Sequence, residues 1–329
     1  MPKCDAVFEG GGVKGIGLVG AVSAIEKAGF KFVNLAGTSA GAIVASLLAV
    51  GYTGDEIGKI LHKLNYNDFR DETFLDKLGL PGKALNAAFY LGIYKGDFFE
   101  KWLGELLKAK NKTTFGDIQM ADASAEKYRY KFQAIASDIT DKRLMVLPGD
   151  LRDYGLDPDT FPIAKAVRMS MSIPMFFEPI ALADTQGKLH YIVDGGVLSN
   201  YPIWLLDDGT SDPQWPTFGF KLSEFEPRNL KGPDNSGKPG ILGFLEEIVG
   251  TMLDAHDNYH ISTSHGDYDR TISIPTSIEI ANSTKKIGTT DFGITPEESD
   301  ALFNNGVAAA QQFLSTWNFD LWKKKYRQG

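Results

Sequence analysis

Two glycine-bearing turns, each set between a short apolar strand and a helix, fill the first fifty residues and constrain the fold more than any other feature of the chain. Ala6 to Phe8 reads as a buried strand and "EGGGVKGIG" as a turn; Ile16, Val19, Val22 and Ile25 then recur at helical spacing until Gly29 stops them. A second strand, Phe32 to Gly37, runs into the turn "GTSAG", and Ser39 to Gly51 reads as a buried helix that ends on glycine. The order is βαβα. Such a unit joins parallel strands by a right-handed crossover, which puts both strand-to-helix turns on one edge of the sheet. If the strands are neighbours, about 4.8 Å separates them and the two turns stand side by side.

What the first turn holds is open at this point. Gly10, Gly12 and Gly15 fit G-x-G-x-x-G, the dinucleotide fingerprint, but the same backbone can aim N–H groups at an oxyanion on a reacting ester. The fingerprint expects an acidic residue roughly 20 positions on, at the end of the second strand, to hold a ribose hydroxyl. No Asp or Glu stands between Glu26 and Asp55, and Gly37, Thr38 and Ser39 occupy that place. A P-loop fails as well, because Lys14 is followed by Gly15 and not by a hydroxyl for magnesium. The second turn, Gly37 to Gly41, is a G-x-S-x-G, in which glycines at both ends allow a sharp bend that projects Ser39: a nucleophile elbow. Small residues at a tight turn also serve packing alone, so the pentapeptide draws its meaning from the strand before it, the helix after it and the glycine loop beside it.

A serine nucleophile needs a base. In "YIVDGGVLSNYP" a strand from Tyr191 to Val193 ends in Asp194, followed by Gly195 and Gly196, although Asp-Gly is also a common hairpin signal. The α/β-hydrolase order Ser, Asp, His could instead be completed by His256, His260 or His265. In that fold the serine follows several strands, whereas Ser39 follows the second, so a direct Ser39–Asp194 dyad is the simpler expectation. His256 and His260, four apart beside Asp254 and Asp257, could hold a metal, but without a third ligand set they read as a polar helix face. His62 and His190 have no arrangement that suggests chemistry.

Charge and composition exclude other classes. A formal net charge of -8 over 329 residues leaves no basic face for a nucleic-acid backbone, so no nucleic-acid partner is expected. Cys4, the single cysteine, cannot form an internal disulfide and reads as a small buried thiol, in keeping with a reducing compartment. "MPKCDAVFEGGG" lacks the apolar core and cleavage site of a secretory signal, which leads to the expectation of a cytoplasmic protein. No stretch reaches the ~18 apolar residues of a spanning helix, and the longest candidate, Ala84 to Tyr94, is bounded by Lys83 and Lys95, so membrane contact is expected to be peripheral.

Taken together, these residues resemble the patatin-like phospholipases, and the match is close to the bacterial members. The family pattern G-G-G-x-[KR]-G, G-x-S-x-G and D-G-[GA] stands here as Gly10 to Gly15, Gly37 to Gly41 and Asp194 to Gly196. Similarity extends to "ASDIT" at Ala136 to Thr140, "RMSMSIPMFFEP" at Arg168 to Pro179, "LSNYP" at Leu198 to Pro202 and "IGTTDFGIT" at Ile287 to Thr295. The resemblance implies an α/β fold of three layers, α/β/α, around a central mostly parallel sheet. It implies hydrolysis of fatty-acyl esters of phospholipids or other lipids through an acyl-serine, with no metal and no cofactor. By position it implies Ser39 as nucleophile, Asp194 as base, and backbone amides among Gly10, Gly11, Gly12 and Val13 as oxyanion donors, with Gly15, Gly37, Gly41, Gly195 and Gly196 shaping the turns. Lys14 could attract a lipid phosphate or simply be solvated. A carboxylesterase or lysophospholipase acting on soluble esters is the alternative enzyme, and a lipid-binding module without turnover the alternative of another class.

The remainder is read as part of one domain, 1–329. Residues 52–115 form a helical, cap-like insertion whose Phe74, Leu78, Leu80, Phe89, Tyr90, Phe98, Phe99 and Trp102 either pack over the sheet or line an acyl pocket and touch lipid. Ser223 to Gly240 is a proline- and glycine-rich flexible loop. A last helix opens at Thr295, with Pro296 first inside it and Glu298 completing a capping box, and docks through apolar positions from Leu302 to Phe313.

Overall fold

The computed structural model describes residues 1–69, 92–121, 125–207, 209–222, 265–280 and 283–327. The expected loop at 223–240, the stretch from Phe74 to Tyr90, and His256 and His260 lie outside them. The opening elements are β1 (Lys3–Phe8), α1 (Ile16–Lys27), β2 (Lys31–Thr38), α2 (Ala40–Val50) and α3 (Gly54–His62), so the expected βαβα order holds with slightly longer strands. Then follow β3 (Gly92–Tyr94), α4 (Asp97–Ala109), β4 (Phe132–Asp138), β5 (Arg143–Leu147), α5 (Ile163–Ser170), β6 (Met175–Phe177), β7 (Ile180–Ala183) and β8 (Leu189–Asp194). The chain continues through β9 (Thr217–Leu222), β10 (Thr271–Ile274), the β11 (Ser277–Ile280) and β12 (Ser283–Lys286) hairpin, α6 (Pro296–Thr316) and α7 (Phe319–Tyr326).

Pairing through the central sheet runs β10–β9–β1–β2–β4–β8–β7, with β5 also on β4. The first four pairings are parallel and those of β8 and β5 with β4, and of β7 with β8, are antiparallel. Helices flank this mixed sheet in three layers: α1 and α6 lie together against β9 and β10, α2 against β1, β2 and β4, and α5 against β4 and β8. Strands buried on both faces need near-continuous apolar sequence, and β1 and β9 meet it, with Phe8 and Phe220 stacked at 4.6 Å. Cys4 is buried among them.

The register around β4 decides where the chemistry sits. From Ala134 to Asp138 every β4 residue pairs with β5 on one side; on the other, Ala134 and Ile135 face Gly37 and Thr38 of β2, while Ala136 to Asp138 face Asp194 to Ile192 of β8. Strands β2 and β8 therefore share one lane beside β4 and run towards each other. Thr38 and Asp194 sit opposite successive β4 residues, about 3.3 Å apart along the strand.

In the insertion, Phe69 packs its ring 5.6 to 5.8 Å from those of Phe98, Phe99 and Trp102. Phe99 is fully buried and Phe98 is 36% exposed, so within this pair only Phe98 presents an aromatic face to solvent and Phe99 serves packing.

Helix α6 opens on the expected Thr295–Glu298 capping box and buries Leu302 and Ala310, but its closest approach to the core is through glycine. A Cβ on Gly306 would lie 1.9 Å from the carbonyl oxygen of Gly17 in α1, and one on Gly20 would lie 1.9 Å from that of Phe303. The two backbones touch, so a side chain at either point must force the helices apart. Gly306→Val is accordingly expected to lose about 3 kcal/mol in urea unfolding. Gly104→Ala, in α4 with nothing within 4 Å of the new methyl, is expected to gain up to about 1 kcal/mol. Equal midpoints for Gly306→Val and the wild type would show that the helices are not in contact there.

Candidate active site

Ser39 stands between β2 and α2 at φ 52° and ψ -121°, a left-handed backbone that costs a non-glycine residue of order 1–3 kcal/mol and persists only where neighbours over-determine it. Sequence supplies the means. Without side chains at Gly37 and Gly41, α2 closes onto the strand end: a Cβ on Gly37 would meet the Gly41 carbonyl carbon at 2.4 Å, and one on Gly41 the Phe8 carbonyl oxygen at 2.3 Å. Two hydrogen bonds hold the bend, the Ser39 N–H donating to Ser170 Oγ at 2.9 Å and Thr38 Oγ1 donating to the Ser199 carbonyl at 3.0 Å.

Asp194 ends β8 in the same lane. Its N–H donates to the Ser172 carbonyl, and its Oδ1 accepts the Gly196 N–H at 2.8 Å. Gly195 allows this turn because its missing Cβ would fall 2.3 Å from the Ile135 carbonyl oxygen. Oδ2 is buried and has no hydrogen-bond partner among the described residues. Burial pushes the carboxyl up to about 7, opposed in part by the Gly196 N–H and by the nearby Ser39 hydroxyl. Ser39 and Asp194 are thus neighbours, close enough for the Ser39 hydroxyl to favour the ionised carboxyl.

The glycine loop lies on the other side of Ser39, its turn Gly12–Gly15 packed so that a Cβ on Gly15 would touch that of Ala40. Its amides are not equivalent. The Gly10 N–H donates to the Asn200 carbonyl at 3.1 Å, that of Val13 to the Thr289 carbonyl at 3.2 Å, and that of Lys14 back to the Gly11 carbonyl. Among the described residues those of Gly11 and Gly12 have no such acceptor. Gly12 has φ +55°, and a Cβ there would sit 2.0 Å from the Thr289 carbonyl oxygen, so substitution would displace that segment as well as the loop. Beside the loop an apolar cavity of about 30 Å³, lined by Gly12, Ile16, Ala40, Tyr66, Phe69 and Trp102 among others, has room for about one water.

Ser170, Ser199, Asn200 and Thr289 each bond to these turns, and nothing in the sequence gave them individual roles. All four fall inside strings that resemble the family, and that is the only signal they carried.

Of the three described histidines, His265 is exposed and His62 and His190 are committed elsewhere. His62 Nδ1 lies 3.2 Å from Asp300, while buried His190 bonds Asp138 through Nδ1 at 2.7 Å and approaches Asp184 through Nε2 at 3.4 Å. Burial opposes a charge on His190, but these carboxylates hold its imidazole above the ordinary range. Asp138, Asp141 and His190 bring potential metal-ligand atoms within 4.8 Å of one another. Those groups are already bonded to each other and to Tyr154 and Lys188, and His190 is four residues, about 13 Å, from Asp194 along β8.

A model of the patatin-like phospholipase family matches residues 6–207. The chain is 41% identical over 320 residues to the uncharacterized protein YqhO of Bacillus subtilis (strain 168), covering 96% of this chain and 99% of that protein. It is 28% identical over 200 residues to the probable lipid hydrolase 463L of Invertebrate iridescent virus 6, covering 60% and 61% of the two. VipD from Legionella pneumophila shares the fold with a TM-score of 0.51 at 20% identity, over 95% of this chain and 67% of that one. ExoU of Pseudomonas aeruginosa, in its complex with SpcU, does so with a TM-score of 0.50 at 17% identity, over all of this chain and 52% of that one. With the family model spanning more than half of the sequence and all three glycine-bearing turns inside it, the chain belongs to the patatin-like phospholipase family.

Proposed function

We propose that this protein is a serine lipid acyl hydrolase in which Ser39 and Asp194 act as a dyad. The observation that carries the reading is a buried carboxylate oxygen, Asp194 Oδ2, left without a partner among the described residues and close to a serine held in a left-handed turn. Asp194 takes the proton of the Ser39 hydroxyl as Oγ bonds to the ester carbonyl carbon, and the Gly11 and Gly12 amides stabilise the resulting oxyanion. Collapse expels the alcohol portion, which takes the proton from Asp194. Water, deprotonated by the same carboxylate, then attacks the acyl-serine; the bond from the acyl carbon to Ser39 Oγ breaks, Asp194 returns the proton to Oγ, and the fatty acid leaves. An ordinary carboxylate is a weak base for a serine hydroxyl, and burial offsets part of that weakness by raising Asp194 towards neutral pH. Every step uses groups of the chain, the substrate and water.

The lipid class of substrate is supported by membership of the family and by the relative named a probable lipid hydrolase. No helix among the described residues is long and apolar enough to cross a membrane, so access to lipid is taken to be peripheral, with Phe98 as an exposed aromatic of the insertion. A second reading, a carboxylesterase acting on short esters, is favoured by the small size of the cavity beside the glycine loop, about 30 Å³.

A fluorophosphonate probe is expected to label the wild type at one site and leave Ser39→Ala unlabelled; labelling that survives in Ser39→Ala excludes the dyad. Mass spectrometry of products from phospholipids, lysolipids and p-nitrophenyl esters of increasing chain length separates the two substrate readings, and a lipid hydrolase is expected to prefer the long chains.

The ionised carboxylate is the working form, so kcat/KM is expected to rise with pH to a plateau with an apparent pKa of about 7, and Asp194→Asn to lose nearly all turnover. Stability moves the opposite way. The folded carboxyl binds its proton more tightly than an exposed one of ordinary pKa about 3.9, so the wild type loses stability as pH rises from about 4 to about 7. Asp194→Asn lacks that loss, and its Tm advantage over the wild type is expected to widen between pH 5 and pH 8. A constant gap would mean that Asp194 is not buried as a carboxyl.

A further inference from the structure

One short turn holds the backbones of both proposed reacting residues, and no step of the reaction uses it. Helix α5 ends at Ser170, whose fully buried Oγ accepts the N–H of Ser39 at 2.9 Å. Two residues on, the Ser172 carbonyl accepts the N–H of Asp194 at 2.9 Å. The turn is itself locked. Ser172 Oγ donates to the Arg168 carbonyl at 2.7 Å, and the Arg168 guanidinium donates to Ser172 Oγ, to the Lys95 carbonyl and, at 2.9 Å, to the Glu178 carbonyl. Arg168 is 1% exposed, and a guanidinium is kept in such a place only by acceptors fixed in position around it.

The reach of Ser39 Oγ towards Asp194 depends on two backbone placements. One is strained: the left-handed conformation of Ser39 relaxes unless something grips its amide. The other is the end of a strand, where the ladder to β4 stops at Asp194 and no further β4 pairing steadies the residue. The single turn from Arg168 to Ser172 supplies a hydrogen bond at each of these places, so any shift of the turn moves both residues together.

We infer that Ser170 is a positioning residue of this site, gripping the elbow amide, and that the Arg168–Ser172 turn sets the distance between Ser39 and Asp194. The inference rests on the dyad reading. It assigns a task to a string of sequence that the reaction itself leaves unused.

The test compares Ser170→Ala with Ser46→Ala, which removes another buried hydroxyl, one bonded to the Ile43 carbonyl in α2 away from both turns. Activity is expressed per folded molecule, measured by near-UV circular dichroism. Ser170→Ala is expected to lower kcat on a short p-nitrophenyl ester by roughly 10- to 100-fold with KM within about twofold, because a misplaced nucleophile slows reaction more than binding. The rate of fluorophosphonate labelling at Ser39 is expected to fall by the same factor. Ser46→Ala is expected to keep wild-type kcat whatever it costs in Tm. Ser172→Ala, which keeps the carbonyl that holds Asp194 but removes one of the acceptors of Arg168, is expected to fall between the two and serves if Ser170→Ala does not fold. Wild-type kcat and labelling rate in folded Ser170→Ala, or a loss seen only in KM, would overturn the inference while leaving the dyad intact. Failure of the dyad is read separately, from labelling of Ser39→Ala.

Discussion

The site depends on two strands that meet end to end. β2 and β8 occupy one lane beside β4, arriving from opposite directions, and the ladder stops where Thr38 and Asp194 face successive β4 residues. Sheet hydrogen bonding spaces residues along a strand by about 3.3 Å, so this register brings the end of one motif to the end of another across more than 150 residues of chain. An antiparallel β8 is essential. A parallel strand in that lane would present its amino end to Ser39 and carry Asp194 away from it.

Two unfavourable terms are concentrated at that junction: a serine in a left-handed conformation and a carboxyl buried until its affinity for a proton approaches neutrality. Both are sustained by the surroundings. Close contacts at Gly37, Gly41 and Gly195 fix the turns sterically, and hydrogen bonds that Ser170, Ser172 and Ser199 accept, with those exchanged by Asn200, fix them electrostatically. Asp194 Oδ2 is left without a hydrogen-bond partner among the described residues. The glycine loop completes the arrangement, with some of its amides bonded to Asn200 and Thr289 while those of Gly11 and Gly12 are free of such bonds among the described residues.

The elements around the first two turns were legible because local signals agreed there. Apolar runs of strand length, a 3.6-residue period and glycine punctuation give βαβα without reference to the rest of the chain, and the structure lengthens β1 and β2 without changing their order. The capping box at Thr295 was legible for the same reason, since a cap is satisfied within one turn of helix. The docking of α6 was only partly so. Its apolar positions were evident, but the backbone contact at Gly306 depends on Gly17 and Gly20, and no local pattern links residues so far apart. In the insertion, the aromatic content left packing and lipid contact equally open, and burial assigns Phe99 to the first while leaving Phe98 exposed.

Sequence alone determined the chemistry on offer: a serine between glycines at a strand end, an aspartate at another strand end, a loop of amides, and no acidic residue where a ribose would need one. Those are choices of residue type at fixed local spacing, and local geometry follows from them. Only the tertiary structure decided that Ser39 and Asp194 face each other, that His190 is bound to Asp138 and Asp184 and not available to Ser39, and that Ser170 grips the elbow. The physical reason is that pairing register, burial and hydrogen-bond partners are properties of residues brought together from distant parts of the chain. The basicity of a carboxylate is set by what surrounds it after folding, and the sequence around Asp194 does not contain those surroundings.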